Sequence, residues 1–220
     1  MLAVLQETKG KVRPVLDYRE LNDFIQSHTA DSEVCPETIR SWRLMGVRVE
    51  IVDLRNAYLQ LHVQPELQDF QVVKVAGKYY KLTRLGFGLS SAPKIMSSVV
   101  RRILSLNPRI AAATDHYIDD IIVDLDAVSM DEVIKHLKLY GLETRAPENL
   151  EKARVLGLQL GRGQDGTLIW SRGNEIPDCV DKLVTRRELF SLCGRLVGHY
   201  PVAGWLRIAC GFIKRHADGE

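Results

Sequence analysis

Two adjacent carboxylates, Asp119 and Asp120, sit inside the apolar run Tyr117, Ile118, Ile121, Ile122 and Val123. Their position is costly. β-Propensity disfavours Asp in a strand, and a buried carboxylate must be paired or hold a cation. A hairpin resolves the conflict. Ile118 is expected to precede the turn, Asp119 and Asp120 to occupy it, and Ile121 to Val123 to return. Such a tip projects at least one carboxylate toward a divalent metal. The plain alternative is an Asp-Asp turn that merely joins two strands.

Asp53 is the candidate partner. It closes the alternating stretch 47–52, which reads as a strand. Aspartates on neighbouring strands can hold two divalent cations about 3.5–4 Å apart. That pair suits in-line phosphoryl transfer, with one metal activating a hydroxyl and the other stabilising the leaving oxygen. Mg²⁺ takes few carboxylates and completes its shell with waters and substrate phosphates. Alone, Asp53 reads more readily as a strand-end cap.

Other residues could serve a nucleotide. Lys9, Lys11 and Arg13 form a basic cluster around Gly10, apt for phosphates or simply solvated. Gly86, Gly88 and the small Ser90-Ser91-Ala92 let a backbone approach a ligand closely, or make a loop-to-helix junction. Residues 189–217 contain no acid and carry Arg195, Arg207, Lys214 and Arg215. His199, His216, Tyr200, Trp205 and Phe212 interleave with them. That is a local nucleic-acid footprint, or a basic helical pair packed on an acidic neighbour. The net charge of +2 conceals it and excludes a global polycation.

The elements that must position these residues follow. Of the 220 residues, 45% are apolar and 26% charged, as in an ordinary globular protein. No stretch has the length of a membrane span, and Met1 to Leu5 lacks the pattern of a secretory leader. The four cysteines include no Cys-x-x-Cys pair. Buried reduced thiols in an intracellular protein fit them better than a zinc site built on Cys193, His199, Cys210 and His216. Helices are expected over 36–45, from a Ser91 cap through Ile103, from the Ser129–Glu132 capping box to Gly141, and from the Thr185–Glu188 capping box onward. Strands are expected at 72–75 and 79–82 around Ala76-Gly77-Lys78, and at 154–160 and 167–170. The polar stretch 173–182, with Pro177, reads as a hinge. The class is α+β: mixed strands and helices over 1–171, then a helical unit over 172–220.

Five blocks, in order, resemble the reverse transcriptases of retroviruses and LTR retrotransposons, most closely the gypsy-like Pol polyproteins. Lys11 to Asn22 resembles the fingers block, and Asp53 to Gln60 the first catalytic motif. Arg84 to Pro93 resembles the template and nucleotide motif, Tyr117 to Asp120 the second catalytic motif, and Leu156-Gly157-Leu158 the primer grip. The resemblance implies a right-hand palm of antiparallel sheet and packed helices, with partial fingers and a helical thumb. It implies an RNA-directed DNA polymerase that adds dNTPs to a primer on an RNA or DNA template. Asp53, Asp119 and Asp120 are then the catalytic carboxylates and, with the Leu54 carbonyl, hold two Mg²⁺ ions, which Mn²⁺ can replace. Arg13 lies over the incoming base and α-phosphate, and Lys9 or Lys11 meets the distal phosphates. Asn56 and Ala57 offer backbone N–H groups, Tyr58 lies under the sugar and excludes a 2′-hydroxyl, Phe87 lines the pocket, and Gly88 and Pro93 shape the template track. RNase H and integrase regions are expected in a longer polyprotein. The location implied is the cytoplasm or a virus-like particle, with no membrane partner.

The sequence departs from the family in four places. Gly86 stands where Pro is common. Asn149 stands where a lysine proton donor usually follows Pro-Glu, leaving that role to Arg145, Lys152 or no residue. The connection from Val123 to Leu142 is short, and the first fingers strands are expected to be missing. The alternative reading is a catalytically impaired retroelement remnant that only binds nucleic acid. An RNA-making palm is disfavoured by Tyr58, because such enzymes need a small polar residue near the sugar.

Overall fold

The computed structural model describes residues 2–6, 10–26, 34–46, 48–149, 154–155, 158–165, 167–172, 185–200 and 203–218. The chain opens with strands β1 (Leu2–Gln6) and β2 (Lys11–Val15), then helices α1 (Arg19–Phe24) and α2 (Val34–Leu44). Strand β3 (Val49–Asp53) leads through a 3₁₀ turn, Ala57–Gln60, to the short helix α3 (Pro65–Gln68). The hairpin β4 (Val72–Val75) and β5 (Lys78–Lys81) precedes α4 (Ala92–Ser105) and α5 (Pro108–Ala113). A second hairpin, β6 (Thr114–Tyr117) and β7 (Asp120–Asp124), is followed by α6 (Met130–Leu139). Short strands β8 (Glu148–Asn149) and β9 (Arg154–Val155) precede β10 (Leu158–Arg162) and β11 (Leu168–Ser171). Helices α7 (Arg186–Leu196) and α8 (Trp205–Asp218) close the chain.

These elements form two compact units, Met1–Asp31 with Glu50–Pro147, and Ser32–Val49 with Glu148–Glu220. In the first, the neighbouring strands run β6, β7, β3. Helices α4, α5 and α6 cover this sheet, and Val52, Leu54, Met96, Val100, Ile121, Val123, Val133 and Leu137 fill the core. Spacing explains the packing. Met96, Val100, Ile103 and Leu104 recur on one face of α4, as a helical period requires. Ile95, one position before Met96, is exposed.

Caps fix the helix ends. Ser129 Oγ accepts from the Glu132 N–H at 3.3 Å, and Glu132 Oε2 accepts from the Ser129 N–H at 3.2 Å. At the far end of α6, Gly141 (φ +83°) donates to Lys138 O and Leu142 to Leu137 O, both at 3.0 Å. That is a Schellman stop, with Leu142 buried. Helix α5 was not anticipated. Its signal is Asn107-Pro108, an N-cap whose side chain accepts from Arg109 and Ile110, followed by Pro in the first turn.

Several expectations change. Ser91 is already helical and makes no side-chain cap bond, so α4 starts without the expected cap. Of the basic cluster, Gly10 takes φ +59° and Lys11 and Arg13 lie in β2. One strand does precede the first block: β1 runs antiparallel to β2, which opens that block, with Val4 opposite Arg13. The stretch 154–160 is two strands, β9 and β10, antiparallel to one another. Ala76 (φ +48°) and Gly77 (φ +79°) form the β4–β5 turn, so β5 starts at Lys78. The expected hinge at 173–182, and Leu156 and Gly157 of the primer-grip motif, lie outside the described residues.

In the second unit β9, β10 and β11 form a sheet. The fully buried Trp42 of α2 meets Trp170 of β11 with ring centroids 5.8 Å apart. Helices α7 and α8 pack through Cys193, Leu196, Leu206 and Cys210. Both thiols are free and buried.

Candidate active site

Strand order brings Asp53 and Asp119 side by side. Asp53 is the last residue of β3, and Asp119 lies in the turn that enters the neighbouring β7. The Leu54 N–H donates to the Asp119 carbonyl at 3.2 Å, which locks the strand end to the turn. The turn itself differs from expectation. Its central residues are Ile118 and Asp119, while Asp120 already pairs with Tyr117 in the ladder. Ile118 takes φ +59°, and Asp119 is not among the positive-φ residues. This is the primed-turn sense that matches strand twist. It is strained for a β-branched residue. The Ile118 side chain packs against the main core, which holds the turn in that conformation.

The other edge of β3 is fixed as firmly. Leu54 bridges Thr144, Arg55 N–H donates to Glu143 O at 2.9 Å, and Arg145 N–H donates to Asp53 O at 2.8 Å. Gln60 staples both sides of this join. Its Nε2 donates to Arg55 O at 2.6 Å and to Glu143 O at 2.9 Å, and its Oε1 accepts from Glu143 N–H at 2.6 Å. Arg145 Nη1 then reaches Asp53 Oδ2 at 2.6 Å. Burial pushes the Asp119 carboxyl above its usual range, while its own N–H and the Arg145 charge pull the other way. The guanidinium therefore influences both aspartates.

Beyond Asp53 the chain reverses at Asn56, whose φ of +51° Asn tolerates better than most residues. That bend starts the 3₁₀ turn, burying Ala57 and presenting Tyr58. The Tyr58 ring meets Phe87 edge-on, with centroids 4.9 Å apart and planes at 79°. Burial first, then the negative charge of Asp119, raises the Tyr58 phenol. Tyr58, Phe87 and Asp119 thus share one locality. On the outgoing strand, His116 Nε2 lies 3.0 Å from Ser97 O and 3.1 Å from Ser97 Oγ, tying β6 to α4.

The glycine loop is held by polar side chains. Asn22 Nδ2 donates to Gly88 O at 2.9 Å, and Asn22 Oδ1 accepts from Ser90 N–H at 2.8 Å. Gly88 has φ +104°, and a Cβ there would come 3.4 Å from Leu16 O. The Gly86 N–H donates to the buried Gln71 Oε1 at 2.8 Å. A Cβ on Gly86 would fall 2.6 Å from Tyr18 Oη. Gly86→Pro, the residue common in the family, is therefore expected to destabilise this chain. Loss of the N–H leaves a buried oxygen unpaired, at about 1–3 kcal/mol, before any clash. Urea unfolding of Gly86→Pro beside Gly86→Ala separates the two terms; parent-like stability of both would remove this account.

Not every expected residue can be placed. Lys11 and Arg13 have their backbone in β2, but their side chains, like that of Asn149, lie outside the described positions, as do Lys9 and Lys152. In the second unit the basic footprint narrows. His199 is buried and Tyr200 packs with the helical core. Trp205 and Phe212 stay exposed, Arg215 stacks over Phe212 at 4.8 Å, and Phe190 lies between Arg186 and Lys214. Gln60, Asn22 and Gln71 were given no role by sequence reasoning. Gln60 and Asn22 each end a recognised block, and nothing in their spacing marks a clamp.

Among the described residues no three acid, imidazole or thiol groups close into a metal cage of their own. The site instead offers hard carboxylate oxygens on two adjacent strands. That donor set fits Mg²⁺, which relies on few protein ligands.

Fold and site together define the class: a polymerase-type palm, in which an antiparallel sheet carries one aspartate at a strand end and another in the adjoining hairpin turn. Residues 5–156 match the family described as reverse transcriptase (RNA-dependent DNA polymerase), and the chain belongs to that family. Residues 185–220 match a second family, described only as a domain of unknown function. An uncharacterized protein of Caenorhabditis elegans is 28% identical over 153 residues, covering 66% of this chain and 12% of its own length. The Pro-Pol polyprotein of simian foamy virus type 1 is 31% identical over 117 residues, covering 53% of this chain and 10% of its own. The chain thus spans about a tenth of these relatives. A solved foamy viral protease-reverse transcriptase, in complex with double-stranded DNA, has a similar fold. Its TM-score is 0.62 at 23% identity, over 87% of this chain and 34% of that one. No helix among the described residues is long and apolar enough to cross a membrane.

Proposed function

We propose that this chain is the polymerase part of a retroelement Pol protein and extends a primer 3′ end with dNTPs on an RNA or DNA template. The observation that carries the reading is the Leu54 N–H to Asp119 carbonyl bond, which sets Asp53, at the end of β3, beside Asp119, in the turn that enters β7. Two Mg²⁺ ions, replaceable by Mn²⁺, supply activation of the primer hydroxyl and stabilisation of the leaving pyrophosphate. Asp53 and Asp119 would be the main holders, with Asp120 and the Leu54 carbonyl assisting. Tyr58, braced by Phe87, closes the space beneath the sugar. The Asn56–Ala57 bend offers main-chain donors to the triphosphate, and the Asn22-clamped loop at Gly88 carries the templating strand. Arg13 and Lys11 are assigned to the nucleotide by resemblance.

Residues 1–171 correspond to fingers and palm, and 172–220 to a thumb that grips the duplex, as the foamy viral relative's complex with double-stranded DNA suggests by likeness. RNase H and integrase regions belong to the longer polyprotein, and the setting is the cytoplasm or a virus-like particle. One observation favours the rival reading of a binding-only remnant: Asp53 already carries an arginine counter-ion. Template-primed incorporation by the purified chain decides. Labelled dNTP incorporation on a primed RNA template, with little NTP incorporation, is expected. Duplex binding without incorporation would establish the remnant.

A further inference from the structure

We infer that Arg145 is a resident counter-ion of the catalytic carboxylates, which a divalent metal must displace from Asp53 before the site can work. The inference rests on the polymerase reading above and deepens it. It starts from placement. Arg145 stands across the ladder from Asp53, because Leu54 bridges Thr144 and the Arg145 N–H donates to Asp53 O at 2.8 Å. Gln60 fixes Glu143, two residues before Arg145, by two hydrogen bonds. The backbone of this segment therefore stays beside Asp53 whatever the side chain does. The guanidinium sits 2.6 Å from Asp53 Oδ2.

The exposures decide which partner can move. The Arg145 side chain is 59% exposed and that of Asp53 only 25%. The arginine end can swing into water at little cost, whereas the carboxylate stays in place. A charge-assisted bond to one carboxylate oxygen blocks that oxygen as a metal ligand. The same positive charge acts on Asp119, so a cation entering between the aspartates meets repulsion as well as competition. Arg145 thus sets the metal concentration at which the site fills. Once displaced it remains tethered at the rim as a free cation, where an anionic triphosphate is the natural replacement partner. Metal and nucleotide then favour each other's binding, because linkage is reciprocal.

The test reads metal binding without catalysis. Mn²⁺ binding to the whole chain is followed by electron paramagnetic resonance for the parent, Arg145→Gln, Arg145→Lys and Asp53→Asn, each first checked for a parent-like circular dichroism spectrum. Arg145→Gln is expected to bind Mn²⁺ about tenfold more tightly, with Arg145→Lys between it and the parent. The Mg²⁺ needed for half-maximal primer extension should fall in parallel. Asp53→Asn should lose the tight site. If Arg145→Gln binds no more tightly than the parent while Asp53→Asn weakens binding, the counter-ion role is overturned and the carboxylate site stands. If Asp53→Asn leaves binding unchanged, the metal lies elsewhere and both readings fall.

Discussion

Asp119→Asn is expected to abolish primer extension, by about 10³-fold or more, and at the same time to make the protein harder to unfold. The loss follows from removing an anionic ligand at the hairpin turn. The gain follows from burial, which holds the Asp119 carboxyl above its ordinary value of 3.8. The sign is fixed by linkage. Between the unfolded and the raised folded pKa, the unfolded chain has released its proton and the folded chain has not. Stability therefore declines as pH rises through that window, and the cost persists above it. The uncharged amide escapes this cost. It also keeps the turn, because the Leu54 bond uses the Asp119 main-chain carbonyl. Thermal unfolding should show parent and variant close in acid and separated at neutral pH, by roughly 2–4 °C for each kcal/mol. Parent-level extension by the variant would remove Asp119 from catalysis, and a lower neutral melting point would refute the burial argument.

The second large effect is on sugar choice. Tyr58→Val should lower the preference for dNTP over NTP by about 10–200-fold, the scale on which a pocket's shape discriminates small groups. The ring is held rather than free, edge-on to Phe87 at 4.9 Å. A fixed ring can exclude a hydroxyl, whereas a mobile one would yield to it. Valine is too short to meet Phe87 and opens the space beneath the sugar. The relevant measurement is kcat/KM for matched dNTP and NTP on the same primed template. An unchanged ratio would take Tyr58 out of the gate. Phe87→Ala should move the ratio in the same direction but less, since it removes the brace and leaves the ring.

Much of the fold could be read from local rules. The capping boxes at Ser129 and Thr185, the Gly141 stop and the buried period of α4 each depend on residues a few positions apart. The β4–β5 turn was legible too, one residue out of register, because Ala76 joins Gly77 at positive φ. The pairing of β1 with β2 was missed, since a short apolar start has no partner until tertiary structure supplies one. At the site, Asp53, Tyr58, Phe87 and Asp119 come together as expected, because motif order carried long-range information that periodicity lacks. The Arg145 and Gln60 contacts were not legible. They join segments 92 and 83 residues apart through main-chain geometry, and neither residue type announces such a partner. The hairpin turn lies one residue earlier than residue preference predicts. Preference places both aspartates in it, whereas the tertiary core sets the register through Ile118.

That register makes the hairpin tip a point of local frustration. In α6, with its two matched ends, local preference and the global fold agree. At position 118 they conflict: the backbone asks for glycine, while the core asks for a branched aliphatic side chain. A sequence-optimisation scheme that scores backbone compatibility alone would repair this residue first. In doing so it would cut the anchor that keeps Asp119 beside Asp53. The conflict marks the place where tertiary packing overrides the chain's own conformational preference.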